Sequence, residues 1–219
     1  MSNTPVRNYT TLMDRCIAKA DEETAQTGTP PALLLHSCCA PCSTSVIAAL
    51  SPHFTITVLY YNPNIDLPEE YHHRADEQRK LLEKLPTPNP VHYLEGEYLP
   101  GEFLEMAVPY AGEREGGIRC TKCYTMRLEK TAKTAAELGI SRFCSTLSVS
   151  PLKDADRINT IGDAMGKQYG VSWLWSNFKK RDGYRKSVEM SREYDLYRQD
   201  YCGCSFSRAT GGILLVEPD

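Results

Sequence analysis

Three groups of cysteines mark this chain: Cys38 and Cys39 with Cys42 just beyond, Cys120-Thr-Lys-Cys123, and Cys202-Gly-Cys204. Thiols that only fill a core scatter along a sequence. Thiols that share a metal, a cluster or a redox couple come in near-adjacent sets, because each must point at one small volume. Two intervening residues let both sulfurs of Cys120 and Cys123 reach one metal or one cluster. Joined to Cys38 and Cys39, they supply the four thiolates of an all-sulfur site. Adjacent cysteines can hold neighbouring irons of a cubane, whereas converging both on one zinc strains the backbone more, which favours a [4Fe–4S] cluster there. Arg119 and Arg127 stand close enough in sequence to balance thiolate charge. Cys202 and Cys204 alternate onto one side of an extended chain that Gly203 can bend sharply. Such a pair suits a redox-active disulfide or a mononuclear metal, with Cys42 as the natural extra ligand.

Two other chemistries remain open on these residues. Cys39-Ala-Pro-Cys42 has the form of a thioredoxin-like dithiol, so thiol–disulfide exchange through Cys39 and Cys42 is one alternative. A zinc-stabilised module that binds RNA or protein without catalysis is the other. Cys16 and Cys144 are isolated and read as core residues. His36, at a strand end beside the thiols, reads as a satisfied core histidine; His72 and His73 point to different helix faces, and His53 and His92 to the surface.

The elements that must position these thiols alternate. A leading helix over Pro5 to Ala25 closes at Gly28-Thr-Pro-Pro31. Strands are expected at Ala32–His36, Thr55–Tyr61, Val91–Leu94, Arg142–Leu147 and Val171–Trp175, and Ile213–Val216 could add an edge strand. Helices are expected over Ser43–Leu50, Glu69–Leu85, Tyr124–Leu138, Asp154–Tyr169 and Tyr184–Gln199. This order predicts an α/β fold, a parallel sheet with helices on both faces, whose working site lies beyond the strand C-termini. Cys38 and Cys39 follow the first strand, where a phosphate loop would ordinarily stand, but Ser37 to Ser45 contains no glycine to wrap an anion. We read residues 1–30 as a helical extension and 31–219 as a single catalytic domain.

The 219 residues are enough for one well-buried domain. No apolar run approaches the roughly 20 residues of a membrane span, and the polar N-terminus has no leader pattern, so a reducing cytoplasm and no membrane partner are expected. A net charge of −3 does not advertise nucleic-acid binding. The stretch Lys179 to Arg198 nevertheless carries Lys179, Lys180, Arg181, Arg185, Lys186, Arg192 and Arg198 among three tyrosines. Taken alone it reads as a solvated helix face, because Asp182, Glu189, Glu193 and Asp195 share it.

From Leu33 to Ser207 the chain resembles the cobalamin-independent epoxyqueuosine reductases, the QueH family. The resemblance rests on His36-Ser-Cys-Cys-Ala-Pro-Cys-Ser43, Tyr61-Asn-Pro-Asn-Ile65, Arg119-Cys-Thr-Lys-Cys-Tyr-Thr-Met-Arg127, Ser150-Pro-Leu-Lys153 and Tyr197-Arg-Gln-Asp-Tyr-Cys-Gly-Cys204, in that order. It implies reduction of the epoxide of epoxyqueuosine to queuosine at the tRNA wobble nucleotide, without cobalamin or ATP, on a fold similar to the ATP-using (HUP or PP-loop-like) tRNA-modifying enzymes. It implies a [4Fe–4S] cluster on Cys38, Cys39, Cys120 and Cys123. It also implies that Cys202 and Cys204 either form a redox pair or, with Cys42, hold a further iron that binds the epoxide oxygen. Electrons would come from a ferredoxin or flavodoxin. Under this resemblance Asn62 and Asn64 become candidates for reading the base, and Lys179, Lys180 and Arg185 for holding tRNA phosphates. The proton donor stays undecided among Tyr61, Tyr124 and Tyr201 and residues not singled out.

Overall fold

Strand β1 (Ala32–Ser37) is the axis of the molecule, and its residues from Leu33 onward are buried. A strand buried on both faces must be covered on both faces. It lies between β2 (Thr55–Tyr60) and β4 (Arg142–Ser145), with β3 (Val91–Glu95) beyond β2 and β5 (Ser172–Trp173) beyond β4. Every pairing is parallel, with Ala32 opposite Thr55, Leu34 opposite Phe143 and Ile56 opposite Val91. The computed structural model describes residues 7–209; the strand expected at 213–216 lies outside them.

The helices follow in chain order: α1 (Tyr9–Thr27), α2 (Ala40–Leu50), α3 (Pro68–Lys84), α4 (Pro100–Ala107), α5 (Ile118–Glu137), α6 (Ala155–Tyr169), α7 (Gly183–Glu193) and the short α8 (Ser205–Ala209). α2 packs against α3 and α7, α5 packs against α6, and β1 touches both α2 and α5. The sheet is therefore covered on both faces, as the alternating pattern predicts. Chain order reverses at β1: β2 and β3 lie to one side, β4 and β5 to the other. The crevice at such a switch point, beyond the strand C-termini, is where open α/β sheets bind ligands. Cys38 leaves β1 on one side of that crevice and Thr146 leaves β4 on the other.

Local chemistry sets the boundaries. The Asn8 side chain accepts N–H bonds from Thr10 and Thr11 to start α1, and Gly28, left-handed at φ 74°, ends it. Asp154 caps α6 through the N–H groups of Asp156 and Arg157. α2 starts at Ala40, earlier than the expected Ser43, with Pro41 in its first turn, where the ring costs no hydrogen bond. That places Cys42 inside the helix. α5 starts at Ile118 rather than near Tyr124, so Cys120 and Cys123 both lie on its first turns. The earlier start follows from Arg119, whose guanidinium gathers the carbonyls of Tyr110, Ala111 and Glu113 and folds the preceding loop against the helix end. α7 stops at Glu193 rather than Gln199, because Asp195 is left-handed at φ 51° and turns the chain back toward the crevice. α4 has no counterpart among the expected elements. The leading helix is tied to the rest by the Arg181–Asp14 ion pair at 2.7 Å and by Tyr9 stacked on Trp175.

α6 sits unusually close to the sheet edge. A Cβ at Gly162 would lie 2.3 Å from the Trp173 ring, whose indole N–H donates to Asn159 Oδ1 at 2.8 Å. The ring cannot yield without losing that bond. Gly162→Ala should therefore destabilise the fold by about 1–3 kcal/mol, the usual cost of overpacking, read as a lower denaturation midpoint; an unchanged midpoint would show that the helix slides freely.

Candidate metal–sulfur site

All three thiol clusters open onto one cleft at the switch point. Its walls carry Cys38, Cys39, Cys42, Cys120, Cys123, Cys202 and Cys204, and it encloses about 1060 Å³ of empty space, open solvent included. Each cluster arrives on a different support. Cys38 is anchored to β4's continuation: its N–H donates to Thr146 Oγ1 at 3.0 Å, and the Thr146 hydroxyl donates to its Sγ at 3.2 Å. Ser37 and Ser43, both bonded to Gln78 Oε1 at 2.6 and 2.9 Å, brace the turn from beneath. On α5, Cys120 Sγ accepts the Gly116 N–H at 3.3 Å.

The Cys202–Cys204 turn is held by the loop after β2. Asn64 donates to Cys202 O at 3.2 Å, the Asp66 carboxylate accepts the Ser205 N–H at 2.5 Å, and Asp66 N–H reaches Gly203 O at 3.4 Å. Gly203 is required twice over: its φ is +115°, and a Cβ would lie 2.7 Å from Ile65. The Asn-Pro-Asn motif therefore shapes the sulfur site from within. Asn62 is buried too, donating to Ser37 O at 2.9 Å and accepting from Arg127 at 2.6 Å. Both asparagines are committed to the fold at these atoms.

Cys38, Cys39 and Cys42 place their sulfurs within 4.8 Å of one another. Hydrogen bonds from Cys39 and Cys42 hold the Cys38 thiol well below its ordinary range, while the same contacts push Cys39 to about 11 and Cys42 well above the usual value. Across the cleft, the hydrogen bond from Cys204 brings Cys202 down to about 6 and pushes Cys204 up. Burial raises Cys123 to about 11.

Arg127 and Lys153 are among the cations that line this cleft with the sulfurs. Arg127 is 3% exposed; its Nε donates to His36 Nε2 at 3.3 Å, one Nη to Asn62 and the other toward Cys123 Sγ at 4.0 Å. Burial, then the Arg127 charge, drives His36 to about 3, so the imidazole is neutral; its Nε2 lies 3.1 Å from Tyr61 O as well as beside the guanidinium. Lys153 lines the cleft with its charge toward Cys38, Tyr124, Cys202 and Cys42. Among the described residues neither Arg127 nor Lys153 has a carboxylate partner. Burying an ion costs several kcal/mol, and hydrogen bonds to a charged group return roughly 1.5–3 kcal/mol each. The two Arg127 bonds to His36 and Asn62 about break even, so its surroundings favour negative charge.

Sequence spacing located the thiols and both charge-balancing candidates: Arg119 lines the cleft with its charge toward Cys120 while it also holds the loop carbonyls. Spacing passed over Lys153 and Thr146, whose proximity depends on the turn after β4. Tyr124 and Tyr201 line the cleft, whereas Tyr61 is absent from its walls. Of the basic stretch, Arg198 reaches the cleft along with Tyr184. Lys179 donates to Lys153 O at 2.5 Å, Lys180 is exposed, and Arg185 pairs with Asp182 at 3.0 Å.

Cys204→Ala in the metal-free protein removes the bond that depresses Cys202. The ultraviolet thiolate absorbance lost near pH 6 on acidification should then be lost at a higher pH; an unmoved titration would contradict the pairing.

Comparison with known proteins agrees with the motifs. A family model described as "Epoxyqueuosine reductase QueH" matches residues 33–210. Proteins named epoxyqueuosine reductase QueH are similar over most of the chain. That of Streptococcus pyogenes is 41% identical over 212 residues, covering 96% of this chain and 82% of its own. That of Staphylococcus epidermidis is 40% identical, covering 95% and 89%. That of Thermotoga maritima is 35% identical over 179 residues, covering 80% and 89%. Among solved structures, NMN synthetase from Francisella tularensis aligns with a TM-score of 0.44 at 10% identity, over 96% of this chain and 90% of its own.

Proposed function

The chain belongs to the QueH family of epoxyqueuosine reductases, and from that premise we propose that it reduces epoxyqueuosine to queuosine at the wobble position of tRNA with an iron–sulfur group held in the thiol cleft. The observation that carries this reading is the convergence of three sequence-distant thiol clusters on one cleft with cations, Arg127 and Lys153 among them, that have no carboxylate partner among the described residues. A metal–thiolate group supplies the missing negative charge. Cys38, Cys39, Cys120 and Cys123 are the proposed cluster ligands, and Cys42, Cys202 and Cys204 the proposed site of a second iron or of a redox pair.

The spacing of the sulfurs supports a cluster over a single zinc. At a Zn–S distance of about 2.3 Å, tetrahedral ligands stand about 4 Å apart. Among the described residues the only set of three or more potential ligands this close is Cys38, Cys39 and Cys42. A group bridging from there to α5 has to be larger than one ion. When bound, such a cluster delivers electrons singly and a neighbouring iron serves as a Lewis acid for the epoxide oxygen.

The chain's own residues do the remaining work. The first-turn amides of α2 and α5 favour thiolate charge, Arg127 neutralises it from beneath, and Arg198 at the cleft wall meets the anionic substrate. Asn62 acts through Arg127 and Asn64 through the Cys202 turn, while Lys180 and Arg185, with Lys179 at the turn, form the tRNA-facing side. Among the described residues no helix is long and apolar enough to cross a membrane; a reducing cytoplasm and a low-potential electron-transfer protein suit these unpaired thiols.

Anaerobically purified protein should be brown, contain iron and acid-labile sulfide, and convert epoxyqueuosine-bearing tRNA to the queuosine form when given a strong one-electron reductant, as read by nucleoside mass spectrometry. Cys123→Ala should lose both iron and conversion. A colourless protein that still converts substrate would sink the cluster assignment. Lys180→Glu with Arg185→Glu should weaken tRNA binding and flatten its dependence on salt, each lost phosphate contact reducing the log–log slope by about 0.7–0.9; an unchanged slope would place the tRNA on another face.

A further inference from the structure

Lys153 stands apart from every other cation of the cleft. Its backbone is pinned from both sides: its N–H donates to Ser150 O at 3.2 Å and its carbonyl accepts Lys179 Nζ at 2.5 Å. Lys179 is itself held by Ser148 O at 3.2 Å, and Asp154 begins α6 at the next residue. The side chain lines the same cleft as Tyr124, Cys38 and Cys202. Among the described residues no hydrogen bond or ion pair engages its ammonium, so its three N–H donors remain available. The side chain is half-buried, and the contrast with Arg127, which donates to Asn62 and toward Cys123, is sharp.

The reaction generates a charge that such a group would meet. Converting an epoxide to an alkene breaks both C–O bonds, takes up two electrons and two protons, and releases the oxygen as water. As the first C–O bond breaks, negative charge collects on oxygen, which becomes a base of alkoxide strength. Building on the function proposed above, we propose that Lys153 is a catalytic residue of the reduction: its ammonium hydrogen-bonds the epoxide oxygen and delivers one of the two protons as the C–O bond breaks. Solvent restores that proton and supplies the second, and the external one-electron donor supplies both electrons.

A purely electrostatic role, balancing thiolate charge, is the competing account, and two variants separate them. Lys153→Gln removes charge and acid; Lys153→Arg keeps the charge but is a far weaker acid. Both are prepared anaerobically, and iron content, tRNA affinity, reduction potential by spectroscopic redox titration, and single-turnover conversion in light and heavy water are measured against wild type. The proposal expects both variants to keep iron and tRNA affinity. Lys153→Gln should lose at least about 100-fold in conversion rate, the lower range for a general acid. Lys153→Arg should restore the wild-type potential yet remain at least about 10-fold slow, and the solvent isotope effect should change in both. Lys153→Arg turning over like wild type, or Lys153→Gln losing rate only through lost iron, would overturn the assignment. Wild type that leaves epoxyqueuosine intact would overturn the underlying function, a result distinct from an active wild type beside an equally active Lys153→Gln.

Discussion

Arg127 carries a permanent charge into the interior and meets no carboxylate among the described residues, and its surroundings can be understood as answers to that condition. Its neighbour His36 is buried between Ser145 Oγ at 2.8 Å and Tyr61 O at 3.1 Å and is held neutral, so no second positive charge stands beside the guanidinium. Asn62 turns its carbonyl to the guanidinium and its amide to Ser37 O, which fixes the last residue of β1 before Cys38. One chain of contacts therefore runs from α5 through the cation to the first thiol turn. Removing negative charge from the cleft would leave the cation expensive; removing the cation would leave the thiols mutually repelling.

The same economy appears on the opposite wall. The loop after β2 could have been a solvent-facing connection, yet Asn64 and Asp66 both spend polar atoms on the Cys202–Cys204 turn. Arg74 adds to it, stacked over Tyr201 at 5.0 Å and paired with Glu70. This turn lies near the end of the described chain, far in sequence from the sheet, and local propensity alone would not hold a Cys-Gly-Cys segment with a left-handed glycine. Long-range polar contacts do, which is why three separate motifs must occur together for the cleft to exist.

Much of this was legible before any coordinates. Period and punctuation pointed to the parallel sheet because β1 is a short apolar run, β2 is rich in β-branched and aromatic residues, and Gly28 and Gly170 mark helix ends by their left-handed backbones. The thiols were legible because spacing limits what sulfurs can share. The starts of α2 and α5 were misplaced: Pro41 favours a helix start from within, and Arg119 acts on carbonyls of a loop that has no pattern of its own. α4 was passed over because Pro100 and Gly101 open it and it is short. The asparagines looked like base readers because sequence gives residue type without direction; burial turned both inward. Lys153 was invisible for the converse reason. Its motif was plain, but its isolation from carboxylates is a property of three dimensions.

The two uncompensated cations differ in how far each is immobilised, and that difference bears on what each can do. A guanidinium fastened by His36 and Asn62 presents a fixed field, suited to a charge that is always present, such as thiolates around a resident metal group. It cannot follow an atom that moves. An ammonium on a four-carbon stem, anchored only through its backbone, keeps its rotamers and its three donors. It costs more to hold unpaired, and it is suited to a charge that exists only while a bond is breaking. Exchanging the two would fail in both directions: lysine at 127 could not bridge His36, Asn62 and Cys123 together, and arginine at 153 could not surrender its proton. The cleft needs one cation that stays and one that gives.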